Sequence, residues 1–186
     1  MEENLEKPKF NLSDFFNKNK KKLIIFSIFI IICIFSGIII NESKKKRVIK
    51  ISENFNSAKI FIETKNKSKA RNILLSIIDE KNNFYSPSAL NLIIEHKLID
   101  DKKKVINLFD QVIYKSKLDK EMQNLFIIKK TFYLGDDISE NILLDNLNPI
   151  IKSNSIWKKT ALDYVQKYYI SKSQFEKAKQ FGANLN

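Results

Sequence analysis

Hydrophobic and polar positions follow two regimes along the chain. Between Leu23 and Ile40 runs LIIFSIFIIICIFSGIII, eighteen consecutive residues without a charge, fourteen of them Leu, Ile or Phe. As a helix at 1.5 Å per residue the run reaches about 27 Å, close to the hydrocarbon thickness of a bilayer. Each central Leu, Ile or Phe favours insertion by roughly 0.3–0.6 kcal/mol, and no charge offsets them. The pattern predicts one transmembrane helix over 23–40, marked by Leu23, Ile31, Cys33, Gly37 and Ile40. Lys20, Lys21 and Lys22 bound it on one side, and Lys44, Lys45, Lys46 and Arg47 on the other. Their long stems lie along apolar surface while their charges reach lipid headgroups. A cleaved signal peptide wants a shorter apolar core, about 7–15 residues, and an A-x-A-like site. Neither Ile34-Phe35-Ser36 nor Asn41-Glu42-Ser43 supplies that pattern. Three isoleucines before Cys33 exclude a lipoprotein signal.

From Val48 the apolar period becomes helical, with Val48, Ile51, Phe55, Ala58 and Ile62 at steps of three and four. The polar segment 41–47 either links this helix to the span or continues it. Further stripes begin at Ala70, Leu90, Val105, Met122, Ile138, Trp157 and Phe175, so eight amphipathic helices are expected. Local signals set the expected boundaries. Ser86-Pro87 reads as an N-cap with proline at the first helical position. Asp100-Asp101 and Asp119 read as caps, Gly135 as a terminator, Asp137 with Glu140 as a capping box, and Asn148-Pro149 as a stop. The seventh helix starts near Ser153 or Ser155. Taken pairwise, the helices make hairpins whose second members open their core stripes at Ala70, Val105, Ile142 and Ala178. Those positions lie 35, 37 and 36 residues apart, near the tetratricopeptide period of about 34. Ala58 and Phe61 then fall on that repeat's small and aromatic positions. The expected fold is all-α: one transmembrane helix followed by a degenerate tetratricopeptide-like helical-hairpin solenoid. Its parts are a tail (1–22), the span (23–40), a basic juxtamembrane segment (41–47) and the helical domain (48–186).

Charge changes this picture little. The net charge is +12, but 31 of the 33 cations are lysines. Nucleic-acid recognition favours arginine's rigid bidentate fork, so the basic balance reads as solvated surface and, beside the span, as attraction to anionic lipid. One cysteine rules out an intramolecular disulfide and a cysteine metal cluster. Three glycines and three prolines argue against a turn-rich β architecture.

Candidate chemistry is sparse. His96 has no second His or Cys outside the span with which to build a zinc site or a nucleophile–base pair. No phosphate-binding glycine motif is present. Asp100-Asp101 and Asp136-Asp137 lack calcium-loop spacing. The expectation is a non-enzyme without cofactor, metal, nucleic-acid partner or small-molecule substrate. Cys33 and Gly37 form a small-xxx-small pair that either meets another helix or faces lipid. Trp157, Tyr164, Tyr168 and Tyr169 are either hairpin core or, through Trp157, Tyr164 and Tyr168, a candidate partner surface.

The order of parts also carries a resemblance. A short tail with Phe15-Phe16, Asn19 and Lys21, one span, and a repeat-like helical domain resembles the ancillary Sec-translocon subunit family. The resemblance implies a bacterial inner-membrane protein with a cytoplasmic N-terminus and a periplasmic domain. It implies as partners membrane lipid, a SecYEG-type channel and periplasmic chaperones that meet emerging chains. The competing expectation is a structural or assembly subunit of another membrane complex, with no client-binding role.

Overall fold

The computed structural model describes residues 12–135 and 138–182, with the backbone alone at 12–19 and at Leu23, Ile24, Phe26, Ser27, Ile31, Gly37 and Ile40. The described residues form eight helices and no strand: α1 (Leu12–Glu63), α2 (Lys67–Asp79), α3 (Tyr85–Glu95), α4 (Lys102–Lys115), α5 (Lys120–Leu134), α6 (Glu140–Ile151), α7 (Lys158–Ser171) and α8 (Phe175–Gly182). The all-α class is as expected. Contacts divide the chain into Met1–Ile49 and Lys50–Asn186. The backbone is helical throughout 41–47, because Glu, Lys and Arg are good helix formers and nothing there breaks the ladder.

In the first unit the described apolar side chains, among them Ile25, Phe29, Ile32, Phe35 and Ile39, are all exposed. So are Lys20, Lys21, Lys22, Lys44, Lys45, Lys46 and Arg47. Ser36 returns its hydroxyl to the Ile32 carbonyl at 2.8 Å, which satisfies it within the helix.

The second unit holds two apolar clusters. One gathers Ile51 and Ala58 of α1 with Ala70, Leu74, Ile77, Leu90, Ile93, Val105, Phe109, Val112 and Phe126. The other gathers Ile128, Leu143, Leu147, Ile150, Ala161, Val165, Tyr169 and Ala178. Consecutive helices from α2 onward pack on one another, and α2 also touches α4. Helix α5 serves both clusters, with Phe126 in the first and Ile128 in the second. This double duty explains why Met122 and Phe132, expected on its inner stripe, are exposed. A helix apolar on more than one face has no single inward stripe to read. Phe175 is exposed as well, and in α6 Ile142 lies outward while Leu143 takes the buried position.

Capping chemistry placed most boundaries. Asp101 accepts from the backbone N–H groups of Lys103 and Lys104, and Asp119 from that of Met122. Gly135, at φ +74, ends α5. Three boundaries differ from expectation. Ser86 does not cap α3, whose N-cap position is Phe84; Asn82 closes the turn before it, accepting from Phe84 and Tyr85 N–H at 2.9 and 2.8 Å. Ser86 is buried and donates instead to the Ile77 carbonyl at 3.0 Å, tying α3 to α2. Ser139 caps α6, accepting from Ile142 N–H, while Asp137 lies outside the described residues. Helix α6 also continues past Pro149 to Ile151, because proline so near the end removes one ladder bond without ending the turn.

One surface contact yields a prediction. Lys102 Nζ donates to the Leu134 carbonyl at 2.7 Å, so a cation satisfies the C-terminal end of α5. Lys102, Lys103 and Lys104 also occupy the first turn of α4, where no acid stands. Lys103→Glu, which places an anion at that positive end, is expected to leave stability unchanged or raise it by a few tenths of a kcal/mol. Lys102→Glu makes the same change to α4 but loses the bond to α5, and is expected to cost about 1 kcal/mol. Urea midpoints of the two variants isolate that bond.

Candidate functional site

A depression in the domain is lined by two helix stripes. Asn91, Ile94 and Glu95 lie at steps of three and one on α3, and Lys129, Phe132 and Tyr133 repeat the spacing on α5. Such spacing sets each triplet on one side of its helix. With Phe109 of α4 they line a groove of about 640 Å³. Phe109 is fully buried, with its ring 6.4 Å from Phe126 and 5.8 Å from Tyr133. A second depression of about 330 Å³ shares Ile94 and Tyr133, adding Ile93, Lys97, Ile99, Asp100 and Val105. The exposed Phe132 meets Tyr164 of α7 edge-on at 4.3 Å, which extends the aromatic lining toward the next hairpin.

Lys129 is the charged group held deepest in this groove. Its ammonium donates to Asn91 Oδ1 at 3.0 Å and lies 5.1 Å from the centre of the Phe126 ring. Burial disfavours its charged form and lowers its pKa. The adjacent Lys130 differs, pairing with Asp110 at 2.6 Å to bind α5 to α4. Nothing in α5 alone marks Lys129, because the groove exists only where α3 and α5 come together.

A polar seam between the first half of α5 and the α6–α7 link also has no local signal. Buried Asn124 donates to Ser155 Oγ at 3.0 Å, and Ser155 donates to Glu121 Oε2 at 2.6 Å. Glu121 also accepts from Ile156 N–H, which fixes the α6–α7 link against the start of α5.

Of the aromatic residues singled out from the sequence, Trp157, Tyr164 and Tyr168 are half-buried and pack on the second cluster. Tyr164 donates to the Thr131 carbonyl at 3.4 Å and Tyr168 to the Ile138 carbonyl at 3.2 Å. Trp157 donates its backbone N–H to Ser155 Oγ at 3.2 Å. The structure spreads the three across the second cluster's margin, and only Tyr164 joins the groove's aromatic lining, through Phe132. Tyr169 is buried, stacks on Phe181 and donates to Glu140 Oε1 at 2.9 Å. Burial, then the hydrogen bond to this carboxylate, pushes its pKa up to about 12. Glu140 accepts from Lys177 as well, and that bond, followed by Tyr169's, lowers its pKa. The group ties α8 back to α6 and α7.

Among the described residues no group of three or more His, Cys, Asp or Glu side chains comes together. Cys33 is exposed and unpaired by disulfide. Among them, too, no helix is long and apolar enough to cross a membrane. Seven of the eighteen positions of the uncharged run, including the expected markers Leu23, Ile31, Gly37 and Ile40, lie outside the described side chains. Comparison with protein-family models, with curated proteins and with solved structures returns no match.

Proposed function

We propose that this chain is a membrane-anchored protein–protein interaction module, with Leu23–Ile40 as its span and the α3–α5 groove as its docking face. The observation that carries the reading is α1. The uncharged run belongs to the same helix as Ile51 and Ala58, which are buried in the domain's first cluster. A tether of this kind raises the local concentration of the domain near membrane partners without tight intrinsic affinity. The repeat reading is supported by the buried positions Ala70, Val105, Leu143 and Ala178, spaced 35, 38 and 35 residues apart. These support a degenerate tetratricopeptide-like stack, a form of fold that presents extended concave faces to polypeptides.

Within this reading the partner is a Sec-type channel and the client an emerging chain or a periplasmic chaperone. The layout of tail, span and domain supports that assignment, with the N-terminus cytoplasmic and the domain periplasmic. The full chain is expected to stay in the membrane pellet after alkaline carbonate washing. Release of the full-length chain into the supernatant would remove the anchor. Photo-crosslinkers at Ile34 and at Phe132 then read the two ends separately. Ile34 is expected to label a channel helix and Phe132 a polypeptide. Labelling of lipid alone at Ile34 would leave the anchor and remove the channel assignment.

A further inference from the structure

We infer that the α3–α5 groove recognises a polypeptide segment in which one Asp or Glu side chain stands beside a bulky apolar residue, the carboxylate docking on Lys129 and Asn91. This rests on the interaction-module reading and names the chemistry of its ligand. Lys129 makes no ion pair with any described residue, although it is half-buried and lined by Ile94, Phe109, Phe132 and Tyr133. Its one hydrogen-bond partner among the described residues is a neutral amide oxygen. Partial burial disfavours this cation, which faces a neutral amide oxygen and the Phe126 ring rather than a carboxylate. An arriving carboxylate compensates that desolvation.

The donor arrangement fits such a ligand. A lysine ammonium has donors only, so the Asn91 amide must present its oxygen to it, which leaves Asn91 Nδ2 directed elsewhere. Asn91 makes no other side-chain hydrogen bond among the described residues. The remaining Nζ protons and the Nδ2 protons are donors left for a ligand, and a carboxylate offers two oxygens to accept them. The apolar lining takes the neighbouring side chain, with Ile94 and Phe132 as walls and Phe109 beneath. A volume of about 640 Å³ lies within the roughly 300–1,000 Å³ typical of ligand sites and suits a few residues of peptide. Glu95 lines the same groove and works against accumulated negative charge there, which disfavours an acidic tract. The domain's charge complements it, since residues 48–186 hold 23 Lys and Arg against 16 Asp and Glu.

The test uses the full-length chain, purified in detergent, against three pools of acetylated and amidated heptapeptides. The central residue is fixed as Glu, Gln or Lys, and the other positions vary among Ala, Ser, Gly, Leu and Phe. Retained peptides are quantified by mass spectrometry. The Glu pool is expected to be retained at least about fivefold over the Gln pool, with Leu and Phe enriched beside the acid. Lys129→Met should erase the preference, Lys129→Arg should keep it, and Lys103→Met on the exposed start of α4 should leave it intact. Circular dichroism checks that each variant folds, and the arginine variant holds the test if the methionine variant does not. Equal retention of the Glu and Gln pools overturns the inference, as does a preference that survives Lys129→Met or vanishes in Lys103→Met. If the pools bind equally but Phe132→Ala abolishes retention, the docking groove stands and only its carboxylate chemistry falls. If no pool exceeds a detergent-only control, both fall.

Discussion

Ala58→Arg should be among the most damaging single substitutions in the helical domain. Ala58 is fully inaccessible and belongs to the same cluster as the equally inaccessible Ala70 and Leu74. Arginine adds a long side chain where close-packed neighbours leave no room, and a charge with no acidic partner assigned to it. Overpacking costs roughly 1–3 kcal/mol and an unpaired buried charge several more. Together these are a large part of the 5–15 kcal/mol that stabilises a typical domain. A fall in melting temperature above about 10 °C is expected by thermal circular dichroism, if the domain remains folded at all. Lys59→Ala, one residue on and exposed, should shift stability by less than about 0.5 kcal/mol. An unchanged melting temperature for Ala58→Arg would mean that Ala58 is not packed as described.

Phe109→Ala should come close behind, and it couples stability to the groove. The ring is buried at the floor, between Phe126 and Tyr133. Truncation removes both aromatic contacts and leaves a cavity that opens toward the groove, for a loss of about 3–5 kcal/mol. Phe109→Leu keeps most of the volume and should cost about 1.5 kcal/mol or less. Urea unfolding gives both values. A loss under about 1 kcal/mol for the alanine variant would show that neighbouring rings collapse into the space.

How much of this was legible beforehand depended on the range of each interaction. Asp101, Asp119 and Gly135 could be assigned from the sequence because a cap acts within three or four residues of itself. Ser86 misled because a serine before proline has the local form of a cap. Its hydroxyl was claimed instead by α2 carbonyls eight and nine residues back, while Asn82 closed the turn. Pro149 misled in the same way, since the distance to the helix end decides whether proline terminates it. Ile142 and Leu143 are chemically close, so periodicity alone could not separate the exposed one from the buried one. The Tyr164 and Tyr168 hydroxyls met backbone carbonyls about thirty residues away. The groove was invisible for a related reason: Asn91 and Lys129 are 38 residues apart and acquire meaning only as a pair.

Glycine scarcity shaped the helix ends in a way that bears on the basic charge. Lys65, Lys81, Lys97 and Lys117 all adopt positive φ, between 46° and 59°, at or just after the ends of α1 to α4. After α1 the pattern is a Schellman closure, with Lys65 N–H on the Ile62 carbonyl and Asn66 N–H on that of Phe61. Leu98 and Lys97 close α3 likewise. A left-handed residue other than glycine costs about 1–2 kcal/mol, and a cation at the negative end of a helix returns roughly 0.3–1 kcal/mol. Lysine is thus a workable stand-in for glycine at these turns, and all four are exposed. Part of the domain's positive charge is punctuation: it marks where helices stop, whatever partner the protein meets.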